Sequence, residues 1–139
     1  MKKEFSGCLY YSINNLSKVL SEMADEAFKT TGLAPSYGFL LMAANDNPGI
    51  QPSDLSRILR LKPSTITRLI EKMEYQGYLE RKSEGRATHV FPTEKCRKMD
   101  NDLREAWQHL KDDYTSVLGE RYTEVLTEMS AKAVEQLDK

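Results

Sequence analysis

At 139 residues, with 40% hydrophobic and 29% charged side chains and a net charge of −1, the chain has the size of one domain and enough apolar surface for a core. Its longest apolar runs, such as residues 39–44, are far too short to cross a bilayer, and no secretory apolar stretch follows residues 1–4, so a soluble, cytoplasmic protein without a membrane partner is expected. Two isolated cysteines, Cys8 and Cys96, suggest neither a disulfide framework nor a structural zinc site, and no metal or cofactor is expected.

From residue 5 to about 30, Leu9, Ile13, Leu16, Leu20, Met23 and Ala27 recur in steps of three and four along one helical stripe. About 26 helical residues would extend about 39 Å, too long for the small domain behind them to cover, so a partner helix is expected alongside. Thr31-Gly32 ends this helix. Pro35 opens a second, carrying Tyr37, Phe39, Leu40 and Met42, which stops at the turn-rich Asn45-Asp46-Asn47-Pro48-Gly49. Pro52 and Pro63 each suit a helix's first turn, and only Arg60-Leu61-Lys62 separates the apolar sets Leu55/Ile58/Leu59 and Ile66/Leu69/Ile70/Met73. Two helices so tightly joined make a helix-turn-helix.

Gly77 closes the second of these, and residues 78–82 and 87–91 can pair as strands around Ser83-Glu84-Gly85-Arg86, forming a wing. Thr93 is a candidate N-cap for a long helix striped by Cys96, Met99, Leu103, Ala106/Trp107, Leu110, Tyr114 and Val117. Gly119 breaks it, and Tyr122, Val125/Leu126, Met129, Ala133 and Leu137 mark a final amphipathic helix. The expected fold is mainly α with a small β-hairpin wing. One domain over residues 1–139 holds a winged helix-turn-helix DNA-binding unit (33–92) between long N- and C-terminal dimerisation helices (5–31 and 93–139), implying a symmetric homodimer.

The charge is distributed accordingly. Residues 55–90 hold eight Lys/Arg against four Asp/Glu, a balance of +4, and the remainder sums to −5. A basic middle in an acidic remainder suits one face that meets a polyanion, although an ordinary charged surface clusters this way by chance as well.

The stretch from residue 33 to 96 resembles the MarR (multiple antibiotic resistance regulator) family. Gln51-Pro52-Ser53-Asp54-Leu55-Ser56 is similar to that family's entry into the motif, and Lys62-Pro63-Ser64-Thr65-Ile66-Thr67-Arg68-Leu69-Ile70-Glu71-Lys72-Met73-Glu74 to its recognition helix. Gly77-Tyr78-Leu79-Glu80-Arg81 is similar to the exit into the wing, and Glu84-Gly85-Arg86 with Pro92-Thr93-Glu94-Lys95 resembles its Asp-x-Arg wing and Leu-Thr-Glu helix start. Three departures stand out: Glu84 replaces the usual Asp, Pro92 a usual Leu, and the turn before Arg86 is about three residues shorter than is common, which shortens the wing's reach. Cys96 stands where a glycine is usual and should simply pack.

A recognition helix needs short hydrogen-bonding side chains at its start and a guanidinium one turn in, which Ser64, Thr65, Thr67 and Arg68 supply as candidate base contacts. Arg68 can chelate guanine O6 and N7, while Lys62 and Ser64 are better placed for phosphate. The alternative for Ser64 and Thr65 is that they cap and open the helix. Arg86 at the hairpin tip suits the narrow, negative minor groove, and Lys72, Arg81 and Lys82 suit phosphates, against the plainer reading of each as a solvated charge. The resemblance implies a second role for the wing arginine, here Arg86: pairing with acids of its own domain.

No catalytic residues are expected. His89 and His109 stand apart from any nucleophile arrangement, and the seven glycines are scattered, so no enzyme is read here. Some family members sense peroxides through a cysteine near the first helix, and Phe5-Ser6-Gly7-Cys8-Leu9-Tyr10-Tyr11 loosely resembles that, so Cys8 is either a redox site or a small buried hydrophobe. Tyr10, Tyr11, Tyr37 and Trp107 are either core or the lining of a cleft for a small aromatic effector, as the resemblance implies. The function expected is a homodimeric, sequence-specific repressor on double-stranded DNA with a pseudo-palindromic operator, released by a small-molecule or redox signal. A winged-helix module for protein–protein assembly is the rival of another class.

Overall fold

The computed structural model describes residues 4–138; residues 1–3 and Lys139, at the ends of the expected domain, lie outside the described residues. In chain order it contains α1 (Leu9–Phe28), a 3-10 turn (Lys29–Thr31), α2 (Pro35–Asp46), α3 (Pro52–Leu59), α4 (Pro63–Tyr75), β1 (Leu79–Glu84), β2 (Ala87–Pro92), α5 (Glu94–Leu118) and α6 (Glu120–Leu137). The mainly α winged helix-turn-helix expected from the sequence is the fold observed.

Pro35, Pro52 and Pro63 occupy the opening turns of α2, α3 and α4, where the missing N–H leaves no intrahelical bond unmade. The first helix holds the whole apolar stripe from Leu9 to Ala27 but is shorter than the span of residue 5 to about 30 expected for it. Residues 4–7 form a turn in which the Cys8 amide donates to the Phe5 carbonyl (3.0 Å), so α1 starts only at Leu9. Its other end tightens because the Thr31 hydroxyl donates to the Phe28 carbonyl (2.6 Å) and accepts from the Leu33 amide (3.1 Å).

Between α3 and α4 the turn is locked locally. Arg60 takes the left-handed conformation (φ 53°), the Ser56 hydroxyl donates to the Leu61 carbonyl (2.5 Å), and the Leu61 amide donates to the Ser56 carbonyl (3.2 Å). In the wing, β1 and β2 pair antiparallel from Leu79↔Pro92 to Glu84↔Ala87, leaving only Gly85-Arg86 in the turn. Gly85 (φ 60°) supplies the positive φ that a two-residue hairpin turn demands. The first strand therefore runs two residues farther toward the tip than residues 78–82, whereas the second starts at Ala87 as expected. Ile50 adds a bridge to Val90, fixing the wing's base to the loop before α3.

Phe28, Leu40, Leu41, Leu55, Ile66, Ile70, Met73, Leu79, Val90, Cys96 and Leu103 form one buried core shared by the end of α1, α2, α3, α4, the hairpin and the first half of α5. Gly38 lets α2 approach Phe28, where a Cβ would come within 2.6 Å of the ring. An aromatic chain continues from Phe28 to Phe39 (5.8 Å) and Trp107 (5.6 Å). Beside it Arg104 reaches Asp46 (2.8 Å) and Asp100 (3.3 Å), and Asn45 donates to Asp100 (3.0 Å), which ties α2 to α5. No helix is long and apolar enough to cross a membrane among the described residues.

Candidate nucleic-acid interface

Recognition by α4 begins with how the helix is seated. Ile66, Ile70 and Met73 are buried at three- and four-residue spacing, which turns Ser64, Thr67, Arg68, Glu71, Lys72 and Tyr75 outward as one stripe. Lys62 is the N-cap and no side chain caps the helix, so neither Ser64 nor Thr65 serves as the cap. Ser64 is exposed and Thr65 half-buried. The Thr67 hydroxyl donates to the Pro63 carbonyl (3.0 Å), leaving its oxygen free to accept. Lys62 and Arg68 are exposed, and neither has an ion-pair partner among the described residues.

The other cations divide by their surroundings. The Lys72 ammonium lies 5.3 Å from the Tyr37 ring centre and that of Lys82 5.0 Å from Phe91, so each rests on an aromatic face while its tip stays exposed. Arg86 stands exposed in the hairpin turn with no carboxylate within ion-pair distance among the described residues.

Arg81 differs. Its guanidinium donates to Glu74 (2.7 and 3.1 Å), its amide reaches the same carboxylate (3.3 Å), and Glu71 lies 3.9 Å away. The bonds from Arg81 hold the Glu74 carboxyl below the usual carboxylate range. The pairing within the domain that was expected of Arg86 therefore falls on Arg81, because β1 carries Arg81 past the last turn of α4 while Arg86 projects at the far end of the hairpin. Any phosphate contact by Arg81 would compete with this ion pair, which is about one-third exposed on each side.

The four aromatics read as a cleft do not come together. Tyr10 lines a cleft of about 850 Å³ between α1 and α6, with Leu9, Ile13, Leu126, Met129 and Leu137, closed at one end by the Arg60–Asp138 ion pair (2.7 Å). Tyr11 packs on Phe5 (5.5 Å), Tyr37 lies under Lys72, and Trp107 sits between Phe39 and Lys111 (4.1 Å). Helical spacing alone could not separate these environments.

Cys8, the N-cap of α1, is exposed rather than a buried hydrophobe. Cys96 does pack in the core, and burial pushes its thiol up from 9.0 to about 11. His89 Nδ1 lies 2.8 Å from the Gly49 carbonyl and His109 is exposed. No group of three metal-ligating side chains occurs among the described residues. Missed by sequence reasoning were the contacts of Glu74 with Arg81 and of Lys95 with Gln76; the first had a signal in its place in the last turn before the wing, the second none.

A helix with an outward stripe of hydroxyls and an unpaired guanidinium, beside a hairpin tipped by a second one, has the form of a groove-reading unit. The family model described as "MarR family" matches residues 31–87, which span α2, the helix-turn-helix and most of the hairpin. A protein of Bacillus subtilis (strain 168), HTH-type transcriptional regulator YybA, is 27% identical over 100 residues, covering 70% of this chain and 67% of that protein. The transcriptional repressor CouR on a 23-mer DNA duplex shares the fold with a TM-score of 0.87 at 19% identity, over 96% of this chain and 98% of that one. CouR from Rhodococcus jostii RHA1 bound to p-coumaroyl-CoA gives 0.78 at 18% identity, over 96% and 94%. The chain is thus similar to the MarR family across its helix-turn-helix, and it shares the fold of the CouR repressor along nearly its whole length.

Proposed function

We propose that this chain is a transcriptional regulator of the MarR type, a homodimeric repressor that places one α4 in each of two major grooves of a pseudo-palindromic operator, with Arg86 of each wing in the flanking minor groove. The observation that carries the reading is the stripe Ser64, Thr67 and Arg68: three polar side chains, exposed on the first two turns of a helix whose opposite face is anchored in the core. A protein–protein module would need an apolar stripe in that place. Dimerisation is supported by α6, which buries no side chain, and by the apolar residues exposed along α1 and α6. CouR is seen both on DNA and with p-coumaroyl-CoA, which supports a small aromatic effector as the releasing signal here. The exposed Cys8 supports an oxidant as the other candidate signal.

Salt titrations of operator and random duplexes separate base reading from backbone attraction. Arg68→Ala should cost about 1–3 kcal/mol on the operator, relax preference at one position per half-site and matter little on random DNA. Lys72→Ala should weaken both duplexes and flatten the salt dependence by about one unit per lost contact. Arg86→Ala should lose most where the flanking groove is narrow and A·T-rich. If none of the three changes binding, the DNA reading fails and the assembly module takes its place.

A further inference from the structure

At its C-terminal end α4 leaves carbonyls without helical partners, as every helix does. Its own chain satisfies some: the Tyr78 amide donates to Met73 (2.8 Å) and the Gly77 amide to Glu74 (3.0 Å). The carbonyls of the C-cap Gln76 and of Gly77 are taken by the first turn of α5 and its N-cap Thr93. The Lys95 ammonium donates to the Gln76 carbonyl (2.7 Å), and the Thr93 hydroxyl to the Gly77 carbonyl (2.7 Å) while lying 3.1 Å from that of Tyr78. Lys95 also stands over the Tyr78 ring (4.4 Å), and its stem runs within 3.9 Å of where a Gly77 Cβ would be. A cation at the negative end of a helix dipole, bonded to the last carbonyl and held on an aromatic face, fixes the direction in which that helix leaves the core.

We infer that Lys95 is a positioning residue for DNA reading: it joins the first turn of α5 to the end of the recognition helix, so that α4 keeps its angle to the helix that leads into the dimer. The role rests on the DNA reading proposed above. It differs from a phosphate contact in its consequences, because a badly aimed recognition helix loses the right sequence and keeps its attraction to any backbone.

The test compares Lys95→Met, Lys95→Arg and, as a charge control, Lys98→Met, whose exposed ammonium pairs with Glu94 at 3.7 Å. Lys95→Met should lower operator affinity about three- to tenfold, leave random-duplex affinity and the salt slope at the control's values, and be rescued by Lys95→Arg. In the free protein, amide exchange over residues 74–78 should quicken in Lys95→Met alone, at an unchanged melting temperature. Equal weakening on both duplexes with a flatter slope would make Lys95 a phosphate contact, and unchanged exchange would show that the clamp holds nothing; either overturns the inference. Because the exchange measurement contains no DNA, it stands even if the operator reading fails, and failure of that reading would appear instead as an operator no better bound than random DNA by the unaltered protein.

Discussion

Along α4, Ile66, Ile70 and Met73 repeat every three or four residues and are sealed in the core; along α6, Leu126, Met129, Ala133 and Leu137 repeat in the same way, and not one is buried. Periodicity is equal in the two helices, so the contrast lies in what the rest of the chain can offer. Around α4 the chain supplies α2, α3, the hairpin and α5; against α6 it supplies part of α5 and the open cleft beside α1. The middle of the molecule is thus finished as a fold within one chain, whereas its ends present surface of the kind that a second copy covers.

Truncation should expose that contrast most strongly. Phe28→Ala removes a fully buried ring that supports Phe39 and Gly38, and should cost about 3–5 kcal/mol in urea unfolding. Gly38→Ala pushes a methyl into the same ring and should cost about 1–3 kcal/mol. On α6, Leu137→Asp should leave the core intact yet move the molecule toward monomer in sedimentation at micromolar concentration. The unfolding midpoint of the unaltered protein should in turn rise with protein concentration. A variant that sediments as the parent does, with a midpoint insensitive to dilution, would place the interface elsewhere.

How much was legible in the sequence follows the same division. The helix-turn-helix and wing were readable because proline, glycine and apolar spacing are local signals, and Pro35, Pro52, Pro63, Gly77 and Thr93 each mark an element's edge. The outward set Ser64, Thr67 and Arg68 followed from the same periodicity. What escaped depends on distance in three dimensions: Arg81 rather than Arg86 finds Glu74, Lys95 crosses to Gln76, and Tyr10, Tyr11, Tyr37 and Trp107 scatter to separate surroundings. An apolar stripe announces a buried face without saying whether the same chain buries it, which is why the exposure of Cys8 could not be read.

Between the finished core and the open ends lies the clasp of Arg81 on Glu74, about one-third exposed on each side. Glu74→Gln should cost about 0.2–1 kcal/mol at neutral pH. The folded carboxyl titrates below its ordinary 4.5, so its contribution is present above that value and is lost as the pH falls through the folded pKa. Stability curves of the parent and Glu74→Gln should accordingly run apart at neutral pH and converge under acid. Curves that stay parallel to the lowest pH would mean that Arg81 gains nothing from the carboxylate.

The smallest effect on stability, and the sharpest division between the two regions, belongs to the cysteines. Cys96 is sealed in the core and its thiol titrates near 11 instead of 9.0, so at neutral pH it is both unreachable and protonated, whereas Cys8 is open at the start of α1. A thiol-alkylating reagent at pH 7 should therefore label one cysteine in the native protein, Cys8, and a second only after unfolding. The raised value also carries a sign: the unfolded chain gives up the Cys96 proton first, so stability should decline as the pH rises from about 9 to about 11, and Cys96→Ala should remove that part of the decline. If Cys8 is labelled in dilute protein but protected as the concentration rises, the start of α1 lies under the partner. If it reacts at one rate throughout, no partner covers the first turn of α1, and a dimer of the kind proposed would have to form through α6 instead.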